Sequence, residues 1–239
     1  MIIVAGDSNH DLKFQKRAGL DYKLTLWFEQ LNLDVKNLSK CAAGNDIICN
    51  SVLKAVNENS NVDHVYVFWS EWYRVLKKPV LSYNQFVTKK YFDDGFPTEK
   101  GSQYQNWLYS ISSGDLKQEF IETVNENMNR FYLLQSALKK MNIDYTFYQD
   151  LWPWPNMKYD KMFTAAKLII EHPLHDLIDE DRFWGWPIHP HLGGKCISSL
   201  QIDQVSDTDN HYGQKTHDYL AKNIIEKGIN LWKLDTIIN

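Results

Sequence analysis

The sequence has few cysteines, no cluster of basic residues and no long apolar run. Its 3 cysteines, Cys41, Cys49 and Cys196, are odd in number and form no Cys-x-x-Cys pair, which disfavours a disulfide framework and a zinc knuckle. The net charge is −4, and the absence of a basic run disfavours a nucleic-acid partner. The apolar start is short, with no basic segment before it, and no run is long enough to span a membrane. We therefore expect a cytoplasmic or virion-associated protein with no signal peptide and no membrane partner.

Apolar and aromatic residues, by contrast, are abundant. Of the 239 residues, 44% are hydrophobic and 14% are aromatic, with 9 Trp and 13 Tyr, so the chain can bury a large core. We predict one domain over residues 1–239. An insertion or lid is predicted at about 75–113, because Lys77-Lys78-Pro79 and Asp93-Asp94-Gly95-Phe96-Pro97 interrupt the regular pattern.

Short apolar segments alternate with helical patterns along the chain. The apolar segments predict strands at Ile2–Ala5, Val35–Leu38, His64–Trp69 and Ile143–Tyr148. Helical spacing predicts helices over about 20–31, 46–57, 116–141, 160–170 and 214–228. Asn45 or Asp46 is the predicted N-cap of the second helix. This alternation predicts the α/β class, with a parallel sheet and helices on both of its faces.

Candidate catalytic residues lie near the two ends of the sequence. Strand Ile2–Ala5 runs directly into Gly6-Asp7-Ser8, which puts a hydroxyl at the carboxyl end of the first strand, where open α/β sheets bind ligands. Near the other end, Asp209-Asn210-His211 precedes the last predicted helix. This order, with the serine early in the chain and the Asp and His late, is expected of a serine hydrolase. A catalytic triad is nevertheless defined by its geometry rather than by the order of its residues.

These segments resemble the conserved blocks of the SGNH (GDSL-type) hydrolases, in order and over the whole length. Gly6-Asp7-Ser8 is similar to the first block, Gly44 to the glycine after strand two, and Asp209 with His211 to the last block. The resemblance implies a flavodoxin-like three-layer α/β/α sandwich that hydrolyses esters or acyl groups. It also implies Ser8 as nucleophile, His211 as base, Asp209 as the acid that orients the imidazole, and the backbone N–H groups of Ser8 and Gly44 as oxyanion donors.

One block departs from the family pattern. The family has Gly-x-Asn-Asp after strand three, and its Asn side chain donates to the oxyanion, whereas this chain has Ser70-Glu71-Trp72-Tyr73-Arg74. Ser70 or Asn45 is the predicted replacement donor, and Arg74 and Trp69 are the predicted substrate-binding residues. A Trp followed by Ser and then Arg resembles the loop of divergent, phage- and environment-derived SGNH-like proteins.

Each candidate site residue also has a simpler structural interpretation. The simpler interpretation of Ser8 is a cap on the turn that follows it. That of His211 is a surface histidine, and that of Arg74 is a structural ion pair. Asp207 competes with Asp209 for the role of the orienting acid. His217 is expected to pack at the start of the last helix without a catalytic role.

Two further segments have open interpretations. The pairs His172/His175 and His189/His191 have spacings that bind metals, but proline stiffens both and no Cys or Glu lies at a helpful distance, so we expect no metal and no cofactor. The segment Phe183–Trp186 is predicted to be a loop near the carboxyl edge of the sheet. It either lines a substrate groove or forms a buried aromatic plug.

The sequence therefore predicts a serine hydrolase that acts on a small-molecule or carbohydrate ester. Abundant aromatic loops favour a carbohydrate-linked acyl group such as an O-acetyl group. Because the third oxyanion donor is missing, the alternative is a catalytically inactive protein of the same fold that binds a ligand or is associated with a virion.

Overall fold

Parallel strands form the central sheet of the chain. The computed structural model describes residues 1–11, 24–41, 43–72, 118–153, 159–206 and 209–225. Its strands are β1 (Ile2–Ala5), β2 (Val35–Asn37), β3 (His64–Trp69), β4 (Asp144–Gln149) and β5 (Phe183–Trp184). In space they lie in the order β2-β1-β3-β4-β5, and each neighbouring pair is parallel. This order is that of a flavodoxin-like fold, so the predicted fold class is confirmed.

Residues on the central strands alternate between two cores. Val65, Val67 and Trp69 of β3 belong to one core, while Tyr66 and Phe68 point into the other. Helices cover both faces of the sheet, so both sets of side chains are apolar or aromatic. The sequence of β3 is therefore an almost unbroken run of apolar residues. The three-layer arrangement therefore follows from the composition of the strands.

Helices cover the two faces. The helices are α1 (Trp27–Gln30), α2 (Asn45–Glu58), α3 (Gln118–Lys140), α4 (Tyr159–Ile170) and α5 (Gln214–Tyr219), with a π-helical segment at Leu220–Ile225. Ile48 and Val52 of α2 pack with Phe131 and Leu134 of α3 on one face. Trp27 of α1 and Leu220 pack on the other. A layer of helices on each face buries the central strands of the sheet, while the residues of β2 are only partly buried.

Several predicted boundaries need correction. Residues 24–26 are not helical, so the described part of the predicted helix over 20–31 is limited to α1. Gly44, rather than Asn45 or Asp46, is the N-cap of α2. The segment around Phe183 contains the fifth strand, where a loop was predicted. Phe183 and Trp186 are buried, as the plug interpretation requires.

A small antiparallel hairpin was also missed. Its strands are β6 (Gln204–Ser206) and β7 (Asp209–Tyr212), and Gln204 pairs with Tyr212. The predicted insertion at about 75–113 lies outside the described residues. In the part of the chain that is described, no helix is both long and apolar enough to cross a membrane.

Candidate functional site

A tight turn at the end of β1 presents Ser8. The backbone of residues Ser8–His10 forms a single 3-10 turn, and Asp7 caps it by accepting a hydrogen bond from the Asn9 N–H at 3.0 Å. A Cβ on Gly6 would lie 3.0 Å from both His10 and Phe68, so the close approach of the turn to β3 requires glycine. The cap of this turn is therefore Asp7, and the Ser8 side chain has a different partner.

That partner is His211. Its Nε2 atom lies 2.8 Å from Ser8 Oγ, although the two residues are 203 positions apart in the chain. Ser8 is buried to 7% exposure, so little water competes for its hydroxyl. When the imidazole is neutral with its proton on Nδ1, the hydroxyl donates to Nε2, which is the geometry of a nucleophile and its base. The structure thus brings together the two residues on which the sequence hypothesis depends.

Strand β7 positions His211, and it also contains Asp209. Asp209 pairs with Ser206 across the hairpin, and its side chain is not among those described. Asp207 lies outside the described residues. The choice between these two acids as the partner of the imidazole therefore stays a prediction from sequence.

The start of α5 is fixed by a carboxylate from the loop before β6. Asp203 accepts hydrogen bonds from the backbone N–H groups of Lys215 and Thr216, at 3.1 and 2.9 Å, and from the Thr216 hydroxyl at 2.9 Å. Partial burial opposes ionisation of Asp203, but these hydrogen bonds lower its pKa below the usual value. Since α5 follows β7 after a single residue, Gly213, this cap also holds the strand that carries His211.

Replacing Asp203 with alanine is expected to lower the free energy of unfolding by about 1–2 kcal/mol at pH 7, the usual cost of losing a helix cap. Because folding lowers the pKa of this carboxyl, its contribution is complete above the unfolded pKa of about 4 and is lost as the pH falls through the folded value. Urea unfolding of D203A, with the exposed Asp181 replaced by alanine as the control, measures the difference. Equal stability of the two variants would show that Asp203 is not a cap.

The loop that follows β2 is hydrogen-bonded to the end of β1 and leads to Gly44. The N–H groups of Leu38 and Lys40 donate to the carbonyls of Val4 and Gly6, at 2.7 and 3.1 Å, and extend the parallel pairing past both strands. Gly44 then caps α2 and is buried. Within the described residues, neither the Ser8 nor the Gly44 amide N–H has a hydrogen-bond acceptor. Both amides therefore remain candidates for the predicted oxyanion donors.

The two predicted replacement donors, Ser70 and Asn45, bind each other. The Asn45 side chain accepts from the Ser70 N–H at 2.8 Å and donates to the Ser70 carbonyl at 3.2 Å. Its second amide hydrogen goes to Asn127 Oδ1 at 2.8 Å. The Ser70 hydroxyl donates to Asp7 Oδ2 at 3.2 Å. Asn45 does reach the loop after β3, as the prediction required, but it fixes that loop instead of offering a free donor.

The predicted substrate-binding residues are placed differently. Trp69 is fully buried, and its ring packs against Phe131 and Phe147 with centroids 4.8 and 5.3 Å apart. Its assignment to substrate is corrected to a core position, because it shares the inward face of β3 with Val65 and Val67. Arg74 lies outside the described residues.

A buried polar cluster beneath the Ser8 turn was not predicted. Its centre is Asp150, which directly follows β4 and has no solvent exposure. Tyr212 donates to Asp150 Oδ1 at 2.7 Å, and the Asn9 amide and His10 Nε2 both lie 3.3 Å from Oδ2. Burial opposes ionisation of Asp150, but the His10 imidazole beside it and the hydrogen bonds from His10, Tyr212 and Asn9 lower its pKa. The signal in the sequence was an acid within two residues of the end of a strand, a position that Asp7 also has.

The remaining histidines lie in varied surroundings. His217 is fully buried at the α5 end, and burial lowers its pKa to about 3. Burial lowers the pKa of His189 to about 4. His175 contacts Asp176 at 2.7 Å, and the His189 and His191 rings lie 5.4 Å apart. Among the residues that the structure describes, no group of three or more His, Cys, Asp or Glu side chains is arranged to hold a metal ion.

No family model, curated protein or solved structure matches this chain significantly. The geometry of the site and the resemblance of the sequence to SGNH hydrolases are therefore the observations that bear on the function.

Proposed function

We propose that this protein is a serine hydrolase that cleaves an ester bond, as the resemblance to SGNH hydrolases implies. The observation that supports it is the 2.8 Å contact between Ser8 Oγ and His211 Nε2 at the carboxyl end of a parallel sheet. A serine hydroxyl is a weak nucleophile by itself and needs a base within hydrogen-bond reach. Residues from opposite ends of the chain supply that pair here.

In the proposed reaction, Ser8 Oγ attacks the carbonyl carbon of the ester while its proton passes to His211 Nε2. The tetrahedral intermediate collapses, the bond to the alcohol breaks, and the imidazolium returns its proton to the leaving oxygen. Water then attacks the acyl-enzyme by the same route, releases the carboxylic acid and restores the Ser8 hydroxyl. Asp209 is the proposed acid that orients the imidazole, in accordance with the resemblance.

The proposed oxyanion donors are the backbone N–H groups of Ser8 and Gly44. Each such donor contributes about 3–4 kcal/mol to lowering the barrier in a related class of enzyme. Because the Asn45 amide hydrogens are both bonded to protein groups, we do not assign it a share of this stabilisation. The enzyme is therefore expected to be slower than one with a third donor, by about 10²–10³-fold in turnover.

Turnover of a panel of esters tests the proposal. Wild-type protein is expected to hydrolyse p-nitrophenyl acetate and at least one acetylated sugar, and S8A to fall to the background rate. The matched control is S39A, because Ser39 is also 7% exposed, follows the neighbouring strand, and has no hydrogen bond at its hydroxyl in the described structure. S39A is expected to keep wild-type turnover. Wild-type turnover at the background rate on every ester would reject the proposal.

The second candidate is an inactive protein of the same fold that binds a ligand at this site, or that is associated with a virion. The observation that favours it is that Ser70 and Asn45 are hydrogen-bonded to each other, and that Ser70 also bonds to Asp7 and Asn45 to Asn127. It predicts that an acetylated sugar shifts NMR signals of the Ser8 turn without being hydrolysed. Hydrolysis that depends on Ser8 excludes it.

A further inference from the structure

The Ser8 turn and the His211 strand are bound together by their neighbours in sequence. Asn9 directly follows Ser8, and Tyr212 directly follows His211. The Tyr212 N–H donates to Asn9 Oδ1 at 3.4 Å. The pair is thus joined twice, once by the Ser8–His211 contact itself and once by this backbone-to-amide bond beside it.

The Asp150 carboxylate binds both Asn9 and Tyr212. Its Oδ1 accepts from the Tyr212 hydroxyl at 2.7 Å, and its Oδ2 accepts from the Asn9 amide at 3.3 Å. Its own N–H donates to the Trp69 carbonyl at 2.9 Å, which fixes Asp150 to the end of β3. One buried carboxylate at the carboxyl end of β4 therefore holds the segment after the nucleophile and the segment after the base.

His10 adds a third point of attachment with a defined tautomer. The Trp27 indole N–H donates to His10 Nδ1 at 3.3 Å, so that nitrogen is an acceptor and the ring proton lies on Nε2. His10 Nε2 is 3.3 Å from Asp150 Oδ2. Within the described residues, no Lys or Arg pairs with Asp150. Within the described residues, the side chains of Tyr212, Asn9 and His10 contact the carboxylate, and its orientation is sensitive to the loss of any one of them.

We propose that Asp150 is a positioning residue for the Ser8–His211 pair, acting through Asn9, His10 and Tyr212. The inference rests on the proposed hydrolase function, in which the Ser8 Oγ to His211 Nε2 distance must stay within hydrogen-bond reach. Removing one attachment leaves the turn and the strand less firmly fixed to each other. A displacement of about 1 Å between reacting groups costs about 10²-fold in rate.

Y212F is the mildest test, because it removes only the hydroxyl that binds Asp150. We expect kcat for p-nitrophenyl acetate to fall about 10–100-fold, with KM within about twofold of wild type because no substrate contact is lost. D150N, which exchanges one acceptor oxygen for a donor, is expected to have at least as large an effect. Crystal structures of wild type and both variants are expected to show the Ser8–His211 contact lengthened or split between rotamers in the variants.

The matched control is Y145F. Tyr145 is also a buried tyrosine whose hydroxyl donates to an aspartate, Asp179, at 3.0 Å, but it lies near the amino end of β4, away from Ser8. Y145F is expected to lose stability without a change in kcat per folded molecule. If kcat falls equally in Y145F and Y212F, or if the Ser8–His211 contact is unchanged in Y212F and D150N, the inference is overturned.

The structural measurement separates this inference from the proposed function. A wild-type protein that hydrolyses no ester would reject the hydrolase proposal, yet the Ser8–His211 distance in the variants would still decide whether Asp150 positions the pair. If D150N does not fold, Y212F alone decides it.

Discussion

H211A is expected to lower ester turnover as much as S8A does, by about 10³–10⁶-fold, and the double variant is expected to be no slower than either single one. The reason is that the hydroxyl and the imidazole act as one unit: without the base 2.8 Å away, the hydroxyl keeps its proton and does not attack. Initial rates with p-nitrophenyl acetate at fixed pH measure all three variants, corrected for hydrolysis without protein.

The control for this comparison is H64A. His64 begins β3, so it lies at the amino end of the parallel strands, whereas Ser8 lies at their carboxyl end. Its imidazole contacts the side chains of Asp144 and Thr146. H64A is expected to keep wild-type turnover per folded molecule. Additive losses in the S8A/H211A double variant would mean that the two residues act independently, which is incompatible with a nucleophile and its base.

Acid is expected to destabilise the fold well above the pH at which carboxylates titrate. Burial, together with the nearby His10, lowers the pKa of His217 from 6.5 to about 3. Between these values the unfolded chain binds a proton that the folded chain does not, so stability falls as the pH drops below 6.5. His217 alone is expected to remove about 3 kcal/mol between pH 7 and pH 4. His189, whose folded pKa is about 4, acts in the same direction.

Urea unfolding at a series of pH values from 7 to 4 measures this loss, and H217L isolates the share of His217. Neither ring nitrogen of His217 has a hydrogen-bond partner in the described structure, so leucine removes the titrating group without breaking a hydrogen bond. H217L is expected to be less sensitive to acid than wild type. An unchanged pH dependence in H217L would contradict the assignment.

The sequence predicted the sheet well because burial on two faces leaves a strong pattern. β1 and β3 have the predicted bounds, since both are short, apolar and rich in β-branched or aromatic residues. The hairpin of β6 and β7 was missed because its strands are short and polar, and such segments have no burial pattern to detect.

The site was predictable only in part. The position of Ser8 after β1 followed from the motif, whereas its distance from His211, 203 positions along the chain, depends on how the intervening chain folds. Trp69 was assigned to substrate because a Trp followed by Ser and then Arg resembles the site loop of divergent SGNH-like proteins, but its alternation with Val65 and Val67 indicated the core. Asp150 was missed because the partners that define its role, Asn9 and Tyr212, are 141 and 62 positions away in sequence.

The most direct test of the central claim is labelling with a fluorophosphonate, which requires an activated serine but no knowledge of the natural substrate. The Ser8 hydroxyl displaces fluoride from phosphorus as His211 takes up its proton, and a stable phosphonate ester remains. Intact-mass and peptide analysis is expected to show one adduct, on Ser8, in wild type and in S39A, and none in S8A or H211A. An unlabelled wild-type protein, or an adduct on another residue that persists in S8A, would contradict the claim that Ser8 and His211 form a nucleophile and its base.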